Sequence, residues 1–160
     1  MIPSNSPKIN PCYNARLLRE TVSSRKAVAY RAVPRHRLKF SRVAGSFAVC
    51  RLSATAPVPT WAAQGKFFSI TGTADEVSIV CLAAQVPADI QHENDWACLK
   101  LEGPFPFSET GILTSFVQPL SDRAIPIFAI STFDTDYVLV KNDWVEKAMQ
   151  ILEEAGHKAV

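Results

Sequence analysis

Residues 108–140 read SETGILTSFVQPLSDRAIPIFAISTFDTDYVLV, and the change of hydrophobic period inside this stretch decides the fold class. In its first half Ile112, Leu113, Phe116, Val117 and Leu120 recur three and four residues apart, which puts them on one face of a helix. Ser108 is expected to cap that helix, because a hydroxyl there can accept a hydrogen bond from an amide two or three residues on. Pro119 weakens the last turn by removing a donor and crowding the carbonyl four residues back. The second half changes character: IPIFAIST (125–132) and DYVLV (136–140) are β-rich runs either side of a polar turn, hence two strands.

The flanks extend the pattern. Upstream, WACLKL (96–101) reads as a strand closed by Gly103, Pro104 and Pro106. Downstream, Asp143 and Glu146 make an Asp-x-x-Glu start for a helix over 144–155, which Gly156 ends, and 158–160 is a short last strand. From Trp96 onward the order is therefore β-α-β-β-α-β, a recurring supersecondary pattern.

The preceding residues echo this unit. FAVCRL (47–52), FFSIT (67–71) and VSIVC (77–81) read as strands; Pro57 and Pro59 break the chain, 61–65 allows one helical turn, 73–76 is a turn, and 82–95 holds a short helix at most. A shift of about 60 positions lays Phe68, Ile70 and Val80 on Phe128, Ile130 and Val140, and a shift of about 49 lays Ala48, Arg51 and Leu52 on Ala97, Lys100 and Leu101. The sequence thus predicts a tandem of two related βαββαβ units, a degenerate one over 43–95 and a fuller one over 96–160.

At 160 residues, 48% hydrophobic and 20% charged, the chain can bury a real core, and its composition excludes wholesale disorder. No run of about 18 uncharged apolar residues could span a membrane. Cys12, Cys50, Cys81 and Cys98 lie far apart with no C-x-x-C pair, so neither a zinc site nor a disulfide framework is indicated, and reduced thiols in the cytoplasm are expected.

The net charge of +2 hides an asymmetry. Residues 1–42 carry ten Lys or Arg against Glu20 alone, a net of +9; the rest carry seven basic against 14 acidic side chains, a net of −7. Residues 1–42 are therefore set apart as a basic leader. Three readings stay open for it. Residues 15–33 have the Arg, Ser and small apolar content of an organellar transit peptide. The charges could instead neutralise phosphates, although Tyr13 and Tyr30 are the only aromatics before Phe40 and no nucleic-acid module surrounds them. The third reading is a disordered leader that adds nothing to the fold. No nucleic-acid or membrane partner is assigned.

Catalytic signatures are missing: no G-x-S-x-G, no P-loop, no H-E-x-x-H, no G-x-G-x-x-G. His36, His92 and His157 are isolated and are read as surface side chains. Asp134 and Asp136 share a strand face and invite an acid–base or metal role, but are read as turn acids, since no metal loop surrounds them. Cys50, Cys81 and Cys98 sit in apolar runs, where burial disfavours the thiolate. No cofactor, metal or enzymatic activity is expected. What remains is the start of the 108–120 helix. Gly111 keeps Cβ bulk away from the first-turn amides, which with the helix dipole suit a carboxylate, and Asp134 beside Ser131 and Thr132 suits an ammonium. Gly111 could equally serve only close helix–sheet packing.

The run from Ser108 to Val140 resembles an ACT domain, the small-molecule-binding regulatory module. With FAVCRL, FFSITGTADEVSIVC and WACLKLEGP it is similar to the two-unit ACT proteins related to the regulatory part of aspartate kinase and to the CASTOR arginine sensor. The resemblance covers about residues 45–157. It implies an α+β fold of two ferredoxin-like units side by side, antiparallel sheets with helices on one face, and amino-acid binding at a unit–unit interface rather than catalysis. The matching ligand positions are Ser108, Thr110, Gly111, Ile112 and Leu113, then Ile130, Ser131, Thr132 and Asp134. A free amino acid, a homodimer and a separate effector protein are the partners it implies. An assembly module that uses open sheet edges and binds no ligand is the alternative.

Overall fold

The computed structural model describes residues 35–160, all in one unit. The transit-peptide, nucleic-acid-arm and disordered-leader readings fall on residues 1–34, outside the described residues, for all but the last few positions. Those last positions are structured. β1 (Lys39–Ser53) begins inside the segment read as leader, and Leu38 and Phe40 are buried.

The other elements follow as β2 (Ser69–Gly72), β3 (Glu76–Leu82), β4 (His92–Leu101), α1 (Ile112–Ser121), β5 (Ile127–Ser131), β6 (Asp136–Lys141), α2 (Val145–Glu154) and β7 (Lys158–Ala159). The strands form one sheet in the order β2-β3-β1-β4-β6-β5, antiparallel along this path, with β7 parallel to the start of β1. The sheet runs continuously through both halves of the described residues. β1 and β4 are longer than their apolar runs suggest because each pairs with the other along most of its length. The hairpins β2-β3 and β5-β6 then flank this central pair on opposite sides.

The echo between the halves is visible in the hairpin turns. Gly72 pairs with Val77 and Ser131 with Asp136, so the true shift between hairpins is 59 rather than 60. Thr73 and Thr132 close the same loop. Each donates its amide to the carbonyl three residues on, at 2.8 Å, and its hydroxyl to that carbonyl as well. Helices do not follow the echo. Among the described residues the first half has only short 3-10 turns, Thr60–Ala63 and Ala83–Gln85, where the second has α1 and α2.

Both helices cover one sheet face. Ile112, Phe116 and Leu120 of α1 and Val145, Ala148, Ile151 and Leu152 of α2 pack on Phe40, Leu99, Leu101, Val138 and Val140. Each fully buried side chain of this size contributes about 1.5–3 kcal/mol. Alternation sends Cys98, Lys100, Tyr137 and Leu139 to the opposite face. There Phe67 covers the centre, edge-on to Phe47 and stacked on Tyr137 at 4.3 Å. No helix among the described residues is long and apolar enough to cross a membrane.

His157 departs from its surface reading: it is 6% exposed. Its Nδ1 accepts the Leu38 amide at 3.2 Å and its Nε2 donates to the Ser115 carbonyl at 3.1 Å. This neutral imidazole ties the start of β1 to α1, and burial pushes its pKa down.

Candidate functional site

The segment between β4 and α1 and the turn between β5 and β6 meet at one end of the sheet. The Phe105 amide donates to the Asp134 carbonyl at 2.9 Å. Gly103 makes the approach possible, since a Cβ there would lie 2.5 Å from that carbonyl oxygen and 3.1 Å from Thr135 Cβ. Thr135 buries its hydroxyl, which donates to the Leu101 carbonyl at 2.6 Å. Beyond this seam Phe107 and Phe133 stand edge to face at 5.1 Å, although 78% and 79% exposed.

A cleft of about 410 Å³ opens beside the seam, lined by Lys100, Gly103, Pro104, Thr132, Asp134, Thr135 and Tyr137. Lys100 lies directly across from Tyr137 in the β4–β6 pairing. Its ammonium is 3.2 Å from Glu102, whose other oxygen accepts the Ser41 hydroxyl at 2.5 Å. The Ser41 hydrogen bond, and less strongly Lys100, hold the Glu102 carboxyl below the usual range against an opposing effect of burial. The Asp134 carboxylate has no hydrogen-bond or ion-pair partner among the described residues. The cleft thus sets a cation and an unpaired anion around a shared space.

The expected ligand residues divide by location. Thr132 and Asp134 line the cleft. Ser131 is exposed but spends its hydroxyl on Asp136 at 2.5 Å, and Ile130 packs on the helix-free face. Ser108 and Thr110 are exposed in the segment before α1. Gly111, not Ser108, occupies the cap position. Its φ of 88° lies in the left-handed region that glycine favours, and no side chain caps the helix. The side chains of Ile112 and Leu113 belong to the core, which leaves only their backbone for a ligand. His36 borders this helix start, its Nε2 donating to the Thr110 carbonyl at 2.9 Å. α2 likewise lacks the side-chain cap expected from Asp143 and Glu146.

Lys100, Gly103, Pro104, Thr135 and Tyr137 escaped the sequence reading. Lys100 and Tyr137 sit in strands, where a single polar residue looks like ordinary alternation, and only the cross-strand register brings them together.

Comparison with known proteins adds two family matches. An ACT domain model covers residues 91–154, and a model for an N-terminal domain covers 45–89. The solved structure of protein Atu0741 from Agobacterium tumefaciens is 46% identical, with a TM-score of 0.75 over 78% of this chain and 93% of that one. Clostridium acetobutylicum aspartate kinase shares the fold at 14% identity and a TM-score of 0.56; the match covers 79% of this chain and 36% of that one. E. coli aspartokinase III, solved with aspartate and ADP, does so at 13% identity and a TM-score of 0.52, over 78% of this chain and 34% of that one. No curated protein matches the chain.

Proposed function

For a chain that carries an ACT domain and belongs to one family with the Agobacterium protein Atu0741, we propose a non-enzymatic regulatory role in which a free amino acid binds at the end of the sheet built by 103–113 and 130–135. The observation that carries this reading is the seam itself. The Phe105–Asp134 hydrogen bond joins the loop before α1 to the turn that carries Thr132 and Asp134, with the Asp134 carboxylate, unpaired among the described residues, open to an ammonium. Regulation follows by linkage: a ligand bridging the two loops favours their joined arrangement, and a separate effector protein reads that arrangement. The tandem, CASTOR-like character rests on the repeated Thr-led hairpins, and the buried thiols of Cys50, Cys81 and Cys98 suit a reducing compartment such as the cytoplasm.

The test is a thermal-shift scan of the full chain against the twenty amino acids. Selective stabilisation that grows with ligand concentration supports the reading. A folded protein that shifts with none of them moves the assignment to an assembly module. That second reading is favoured by β5, an edge strand (IFAIS) that carries no charge to discourage pairing with a second copy as a homodimer.

A further inference from the structure

If amino acids bind at this end of the chain, as proposed above, the geometry points to the Lys100–Asp134 cleft, rather than the start of α1, as their seat, and to an uncharged side chain as their class. Lys100 and Tyr137 alternate with Leu99, Leu101 and Val138, which face the helices, so the cleft lies on the helix-free side and the first-turn amides of α1 do not line it. It supplies its own pair of opposite charges. Glu102 is not among the lining residues. It holds Lys100 through one of the three ammonium donors and leaves the others for a carboxylate. Asp134 has no protein partner among the described residues and accepts an ammonium.

Once an α-carboxylate and an α-ammonium occupy these two groups, the lining has no charge left. Gly103 and Pro104 offer apolar surface. The Thr132 and Thr135 hydroxyls already donate to the carbonyls of Thr135 and Leu101, and Tyr137 is held against Phe67. A charged side chain would find no partner of its own among the lining residues. An apolar or aromatic one would meet Pro104 and Tyr137.

Calorimetric titration of the full chain with L-leucine, L-phenylalanine, L-lysine and L-glutamate tests this, repeated on Lys100→Met, Lys100→Arg and Asp134→Asn after their melting temperatures are matched to the parent. The expected result is binding of L-leucine or L-phenylalanine. Affinity should fall roughly 10- to 100-fold in Lys100→Met and in Asp134→Asn, the scale of a charge-assisted hydrogen bond, and be partly kept in Lys100→Arg. Preference for lysine or glutamate overturns the assigned class. Unchanged affinity in both Lys100→Met and Asp134→Asn overturns the seat while amino-acid binding itself stands. No heat with any of the four, together with no stabilisation in the twenty-amino-acid scan, overturns both.

Discussion

The amide of Phe105 donates to the carbonyl of Asp134 at 2.9 Å, joining residues 29 positions apart across the end of the sheet. This bond fixes the loop before α1 against the β5–β6 turn, and the cleft exists because the two are held together. Its integrity depends on Gly103, two residues before the donor.

Gly103→Ala is therefore expected to force the turn outward. Its Cβ would stand 2.5 Å from the Asp134 oxygen, and relief of such a clash costs about 1–3 kcal/mol. Urea unfolding should show that loss, and amino-acid stabilisation should shrink in the same variant.

Gly111 is constrained by conformation. At φ 88° an alanine costs about 1–2 kcal/mol, so Gly111→Ala should lower the urea midpoint with the slope unchanged.

His157 gives the fold a pH dependence of definite sign. Burial lowers its pKa in the folded protein below the ordinary 6.5, so the unfolded chain takes up a proton that the folded chain resists. The stabilisation is whole above about pH 6.5 and is lost as pH falls below it, with a limiting slope of about 1.4 kcal/mol per pH unit. Gln at this position can accept from Leu38 and donate to Ser115 without titrating. The stability difference between wild type and His157→Gln should therefore change below pH 6.5 and be flat above it.

Burial pushes the thiols of Cys50 and Cys98 up to about 12, and that of Cys81 upward as well. In a Cys12→Ser background, an aromatic disulfide reagent at pH 8 should leave the folded protein unmodified. It should titrate three thiols after denaturation.

The second half was the more legible part of the fold, because Ile112, Phe116 and Leu120 mark one helix face while 127–131 and 136–141 alternate about a Thr-led turn. The first half was harder to read. The first residues of β1 (KFSR) look like basic leader, and only pairing with β4 and β7 makes them a strand. At the site, Thr132 and Asp134 were legible as polar groups beside a turn. Lys100 and Tyr137 were not, because their meeting depends on a register that no local signal specifies. Ser108 was misplaced as a cap because a glycine in the left-handed region can start a helix without a side-chain acceptor.

The most direct test is a proton–nitrogen NMR titration of the full chain with each of the twenty amino acids. The expected result is saturable movement of the amide signals of Lys100, Phe105, Thr132, Phe133, Asp134 and Thr135 with one or a few of them. Signals that stay still with every amino acid at millimolar concentration, or that move only away from this end of the sheet, would contradict amino-acid sensing at this site.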